Sequence, residues 1–407
     1  MPVAPLPTRL SLLRIVSQGL VESTRAAKVE EAAAGLFALQ GQQVSAIPHA
    51  LVARTHGATM TEVAAAFAAA RLVRSWPMRG TVHVTTAADH HWLRAALAHT
   101  YDRWVASTRE LGIDDAVRDA AVDVARAEIA SRGPLTRAEL LTAWEGAGLV
   151  APVEVDYGAH PMSESFARSW WRRHMILLLH LEGRLVQGPM GANEHLVVDA
   201  SSLPSADEGP VGAGVAKGGP RHREALAEIA RRYALGHGPV SAHDLARWTG
   251  LAVGQSHRAL EDAVEASRTG TGPDLVRIRV ERGAKGEWER GAAAPRTASP
   301  DVLYMRADAE DLLAESEKEA AATRFLGAFD ELHVGYKDRT CLVDEAGETL
   351  ICPAKNGMFR PIVVEKGRLV AVRPVKEGLI YAGAREPSAA LRRRVEKSVD
   401  SVLARLS

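Results

Sequence analysis

The sequence predicts a mainly α, α+β chain in which groups of helices are closed by short β-hairpins three times over, before a β-containing C-terminal portion. Three observations point to this. Apolar residues recur at helical spacing, as in Leu10, Leu13, Val16 and Leu20. β-Rich runs flank Pro/Gly turns, as in Leu72–Trp76 and Thr81–Thr85 around Pro77-Met78-Arg79-Gly80. The pattern Pro-Leu-Thr…Glu-Leu-Leu…Trp…Gly at 134–148 is echoed within 238–251, a weak internal repeat.

The first group spans 1–125. Helices are expected over 8–20, Lys28–Leu39 and Thr61–Leu72, with Thr59 as N-cap and Glu62 in the capping-box position. The hairpin at 72–85 closes it. Three helices closed by a hairpin is the winged-helix plan, in which one helix can enter a major groove and the wing can touch backbone. The second group, 126–205, opens with a capping box from Thr136 to Glu139. A long helix from Ser163 to Glu182 follows, then Arg184–Gly188 and His195–Val198. The third, 220–295, starts near Arg221 and takes its wing from Leu275–Val280 and Gly286–Glu289. Residues 203–220 and 291–300 are rich in Gly, Pro, Ala and Ser and read as exposed loops. In 300–407, strands are expected at Leu350–Cys352, Pro361–Glu365 and Arg368–Val372, then a terminal helix at 387–406. Its Arg392-Arg393-Arg394 run reads as a solvated face more readily than as a DNA contact.

Composition narrows the function classes. Lys+Arg and Asp+Glu are 50 each, so there is no whole-chain basic excess; DNA binding here needs cations clustered on one surface. Two cysteines without a CxxC, and histidines without HxxxH or HExxH spacing, give no metal site, and no cofactor is expected. The Gly212–Gly219 run lacks the Lys-Ser/Thr of a phosphate-binding loop. No 18-residue apolar run and no signal-like N-terminus occur, so a cytoplasmic, monomeric protein without a membrane span is expected.

Gln40-Gly41-Gln42-Gln43 follows an alanine-rich helix. On residue type alone it reads as a helix stopped by Gly41 with solvated amides. In the first wing, strand alternation sets Thr81, His83 and Thr85 on one face, with Arg79 at the turn and Arg74 nearby, both suited to a phosphate or the minor groove. His83 reads equally as a structural histidine, and Trp76 as core rather than a wedge. Ser169-Trp170-Trp171-Arg172-Arg173-His174 mixes aromatics with charge. Neighbours on a helix point 100° apart, so one Trp is expected in the core and Arg172 or Arg173 on the DNA backbone.

Four stretches together resemble the winged-helix DNA glycosylases of the AlkZ and YcaQ type. They are Leu39-Gln40-Gly41-Gln42, Arg71 through His83, Phe329 through Arg339, and Asn356-Gly357-Met358-Phe359-Arg360-Pro361. The resemblance implies tandem winged helices around a concave DNA-binding face, with Gln40 and Gln42 as the catalytic pair. Gly41 stands where the family prefers an aliphatic residue. Gln42, rather than Asp, places the chain nearer the AlkZ-like branch, which is associated with self-resistance to DNA-alkylating natural products and with unhooking their crosslinks. The implied partner is double-stranded DNA carrying N7- or N3-alkylated purines, including bulky or crosslinked ones. No lysine lies in the motif to form a Schiff base, so a monofunctional enzyme is implied. The rival readings are a non-enzymatic winged-helix DNA-binding regulator and a scaffold for protein partners.

Overall fold

The computed structural model describes residues 4–109, 112–151, 164–268, 273–283 and 286–407. Internal contacts divide the chain into two compact units, Met1–Val63 with Arg223–Ser407, and Ala64–His222. The fold is mixed: many helices and several small antiparallel sheets, in a winged-helix type of arrangement.

The first unit begins with α1 (Thr8–Ser17), α2 (Val29–Leu36), a two-residue extended segment β1 (Leu39–Gln40) and α3 (Ala46–Ala53). Helix α4 (Met60–Ala68) carries the chain into the second unit. The expected cap is there: Glu62 accepts the Thr59 N–H at 2.8 Å.

The second unit holds β2 (Leu72–Met78), β3 (Thr81–Thr86), α5 (Ala87–Ala96), α6 (Tyr101–Arg109), α7 (Asp115–Arg132), α8 (Arg137–Gly146), α9 (Glu164–Leu181), β4 (Leu185–Met190) and β5 (His195–Asp199). The first residue expected in the long helix, Ser163, lies outside the described residues. The two hairpins expected as separate wings share one antiparallel sheet here, through β2 and β4, with Arg74 facing Gln187. Helices cover it, so β3 is buried on both faces rather than alternating. Thr136 and Glu139 form the expected capping box of α8, and Trp144 donates to the Ala121 carbonyl at 2.8 Å inside the main core. Residues 203–220 are not the loose loop expected: Leu203, Val211 and Val215 are buried. Gly209 lies so close to Trp92 that a Cβ there would stand 2.7 Å from the ring.

The chain re-enters the first unit with α10 (His222–His237), α11 (Ala242–Thr249), α12 (Val253–Ser267), β6 (Leu275–Val280), β7 (Trp288–Arg290) and β8 (Val302–Arg306). Ser241 caps α11 with Asp244, and Gly250 ends it in the left-handed conformation. Strand β6 pairs with both β7 and β8, which adds a strand to the hairpin expected from sequence. Helix α13 (Ala309–Ala320), β9 (Arg324–Leu326), α14 (Glu331–Val334) and α15 (Glu345–Ile351) follow. The expected strand at Leu350–Cys352 is thus wrong: Leu350 and Ile351 are the last turn of α15. Three apolar residues fit either period, and Asp344, capping the Gly347 N–H at 2.8 Å, decides for the helix. Strands β10 (Ile362–Glu365), β11 (Arg368–Val372) and β12 (Ile380–Tyr381) complete a sheet ordered β12-β11-β10-β9. The terminal helix α16 (Ala389–Leu406) buries Val395 and Val399 with Phe325, Val363 and Ala371. Among the described residues no helix is long and apolar enough to cross a membrane.

Candidate functional site

The Gln40 segment is set by how α2 ends. Gly41 is not the stop. Phe37 takes the positive φ (66°) at the C-cap, and its ring is locked in place. It stacks on Trp248 (6.1 Å, 29°), and the Arg232 guanidinium lies 4.1 Å above it while donating to the Ala34 carbonyl at the helix end. A positive φ costs a non-glycine residue roughly 1 kcal/mol or more, and it persists because this packing over-determines it. Helix α2 sits directly on α10, where any Cβ at Gly236 would collide with the Gly35 carbonyl. Only glycine permits that approach.

Beyond Phe37 the chain straightens through Leu39 and Gln40. The Gln40 N–H donates to Oε1 of Glu331 at 2.7 Å. Glu331 is 3% exposed, and its Oε2 lies 3.3 Å from Nε2 of the buried His237. Gly335 makes room for this contact, since a Cβ there would stand 2.9 Å from His237 Cδ2 and 2.6 Å from the Glu331 carbonyl oxygen. The Gln40 side-chain Oε1 is buried and, among the described residues, meets no donor. Gly41 is buried and Gln42 is exposed. An inward amide acceptor and an outward amide therefore stand two residues apart.

The neighbouring carboxylate anchors the same loop. Asp330 and Arg54, both essentially inaccessible, form a two-pronged pair at 2.8 and 2.9 Å. Burial alone would raise the Asp330 carboxyl, but the Arg54 guanidinium holds it below its ordinary range. Arg54 also donates to Gln18 (2.7 Å), Gln18 to the Tyr336 hydroxyl (2.8 Å), and that hydroxyl to the His237 carbonyl (2.8 Å). This network ties α1, α3 and α10 to the 330–336 stretch. Phe329, itself at φ 58°, packs edge-on to Phe359 (5.4 Å), so the two C-terminal stretches quoted from sequence meet beside the first residue of α3. Sequence reasoning quoted Phe329–Arg339 without giving Asp330 or Glu331 a task, and it missed His237 and Arg54. The adjacent carboxylates Asp330 and Glu331, set between the apolar Phe329 and Leu332, are the one available signal.

In the second unit the wing residues are brought together pairwise. Arg79, at the turn with φ 55°, donates to Nε2 of His83 at 3.1 Å, while His83 Nδ1–H donates to the Thr81 carbonyl at 2.9 Å. His83 is fully buried; burial, then the Arg79 charge, push its pKa down to about 3, so it is a neutral support for Arg79. Thr81 is half-buried. Arg74 is 8% exposed against Gln187 across the β2–β4 pair, and burial lowers it to about 10. Trp76 packs edge-on to His180 (4.8 Å) at the margin of the core. On α9, Trp171 is buried and Trp170 exposed. Arg172 pairs with Glu145, and Arg173 is exposed. Phe166, Trp170 and His174 form a ring stack one helical turn apart along that face (6.1 and 4.4 Å between neighbours).

Many helices packed with several small antiparallel sheets make this a winged-helix type of protein in general. The chain belongs to the DNA glycosylase AlkZ-like family, whose model matches residues 33–407. The solved structure of Streptomyces sahachiroi DNA glycosylase AlkZ is similar in fold, with a TM-score of 0.64 at 19% identity, covering 98% of this chain and 96% of that one. No curated protein matches the chain.

Proposed function

We propose that this chain is a monofunctional DNA glycosylase that hydrolyses the N-glycosidic bond of N7- or N3-alkylated purines in duplex DNA, bulky or crosslinked adducts included. On this reading it works as a cytoplasmic monomer, in base excision repair or in self-resistance to alkylating agents. Each of the three hairpins with its preceding helices serves as a winged-helix module.

The observation that carries the reading is the buried Gln40 Oε1, which meets no donor among the described residues while its own backbone is pinned by Glu331. An alkylated N7 or N3 puts a positive charge on the base, which then leaves as a neutral group and needs no protonation. What remains is to place a water at C1′ and to stabilise an oxocarbenium-like sugar. The water oxygen bonds to C1′, the glycosidic electron pair leaves with the base, and the water's proton passes to solvent. The amide oxygens of Gln40, whose backbone is pinned, and of the exposed Gln42 accept from that water and present partial negative charge to the sugar. Amides are weak bases, so normal bases, which leave poorly without protonation, are spared.

For DNA contact we assign Arg79, with His83 and Thr81 holding it, and Arg173 beside the exposed Trp170. Arg74, buried against Gln187, lends positive potential without touching DNA, and Arg172 reaches a phosphate by exchanging its Glu145 partner for it. The test incubates N7-methylguanine duplex and undamaged duplex with wild type and with Gln40→Ala/Gln42→Ala, and scores abasic sites. Base release by wild type from the alkylated duplex alone, lost in the double variant, is expected. Equal release by both proteins sinks the assignment; binding without release by either favours the regulator.

A further inference from the structure

Within the first unit, α16 borders a cavity of about 420 Å3 that the Gln40 site does not use. Its floor is apolar, built from Leu20, Ala53, Phe325 and Leu326, and its walls carry Arg25, Arg324, Arg394, Lys397 and Arg405 against one lining carboxylate, Glu319. Arg25 pairs with Glu22 at 2.8 Å and stands 3.6 Å from Glu319, and Glu365 takes Arg394 at 2.6 Å. Among the described residues, no carboxylate comes within ion-pair distance of Arg324, Lys397 or Arg405. Arg324 donates only to the carbonyls of Ala320 (2.8 Å), Glu319 (2.7 Å) and Leu20 (3.2 Å). Arg405 donates only to those of Val52 (2.7 Å), Thr55 (3.0 Å) and Ala58 (3.0 Å).

Those carbonyls include the C-terminal ends of α13 and α3, where cations are favoured and where the guanidinium planes are held fixed. Each helix end offsets about half a charge. With Glu22, Glu319 and Glu365 offsetting three of the five cations and the helix ends about one more, roughly one positive charge remains. The strain is visible: burial, then the Arg25 and Arg54 charges, push Arg324 down to about 10, and burial with Arg25 lowers Arg405 too. Holding like charges together over an apolar floor costs stability, and a bound anion would relieve it.

We propose that this cavity binds a phosphomonoester dianion with an apolar or planar remainder, carried either by a free nucleotide or by the 5′ end of a DNA strand. The residual positive charge, with Arg324, Lys397 and Arg405 meeting no carboxylate among the described residues, favours an anion, and fixed guanidinium planes suit phosphate oxygens. The cavity lies in the roughly 300–1,000 Å3 range of small-molecule sites, larger than a lone anion needs. The proposal does not depend on glycosylase activity.

The full chain is titrated calorimetrically at low salt with deoxyadenosine 5′-monophosphate, with deoxyadenosine, and with duplexes carrying 5′-phosphate or 5′-hydroxyl ends. Lys397 is exposed and has no ion-pair partner among the described residues, so Lys397→Gln leaves the fold intact, which an unchanged melting temperature verifies. The nucleotide is expected to bind at least about tenfold more tightly than the nucleoside, and Lys397→Gln to weaken it by about tenfold. Gln40→Ala/Gln42→Ala binds it as wild type does, which separates this site from the motif. Preference for the 5′-phosphate duplex assigns the ligand to a DNA end; equal duplex affinities with nucleotide bound assign it to a free nucleotide. No binding, equal binding of nucleotide and nucleoside, or no effect of Lys397→Gln overturns the proposal.

Discussion

Asp330→Ala removes the carboxylate that neutralises Arg54 and leaves the guanidinium at 1% exposure, with only the Ala50 carbonyl (3.1 Å) and Gln18 Oε1 (2.7 Å) as partners. Breaking a buried ion pair from one side costs about 3–5 kcal/mol, because a charge stays behind in a low-dielectric site. The Leu332 N–H also loses its cap (2.9 Å), worth about 1 kcal/mol. The expected loss is therefore roughly 4–6 kcal/mol, a large share of a typical domain's stability. Urea unfolding followed by tryptophan fluorescence measures it, with Trp248 and Trp288 reporting on this unit. Arg54→Met/Asp330→Leu should be less damaging than Asp330→Ala, since both charges go together. The folded Asp330 carboxyl sits below its unfolded value, so this contribution is present above about pH 4 and fades as pH falls through the folded value. A loss below about 1 kcal/mol for Asp330→Ala, or a double variant as unstable as the single one, refutes the role given to the pair.

Three further outcomes are expected. His83, His180 and His195 are held neutral, with pKa values pushed by burial down to about 3, 4 and 4. As pH falls below about 6.5 the unfolded chain takes up protons first, and the second unit loses stability. The loss is at most about 2 kcal/mol per histidine at about pH 5, and melting curves across that range that do not move would contradict it. Arg79→Ala should weaken duplex binding and reduce the slope of log affinity against log salt by about one; an unchanged slope means that Arg79 touches no phosphate. Gly335→Ala forces a Cβ to 2.9 Å from His237 and should cost about 1–3 kcal/mol while lowering base release beyond any loss of folded protein. Full release from the folded variant would show that the Glu331–His237 contact does not support Gln40.

Local chemistry was legible in the sequence; distant pairing was not. The Thr136–Glu139 and Thr59–Glu62 caps and the turn at Pro77–Gly80 depend on residues within a few positions, and they sit where the sequence puts them. Trp171 went to the core and Trp170 to the surface, as the 100° step of a helix requires. The sharing of one sheet by β2 and β4 joins residues 113 positions apart, and no local pattern encodes it. The helix stop was misplaced because tertiary packing around Trp248 lets Phe37 take a backbone angle that propensity reserves for glycine. The candidate site was half visible: Gln40 and Gln42 came from the motif, whereas the Glu331 contact spans 291 positions and needed the fold.

The most direct test of the central claim is the single-turnover rate of N7-methylguanine release by Gln40→Ala, with duplex affinity measured on the same protein. If the buried Gln40 amide positions water and stabilises the sugar, the rate falls by about 100-fold or more while affinity changes by less than about threefold. A variant that releases the base at the wild-type rate contradicts the account, as does one whose lost rate is matched by lost binding.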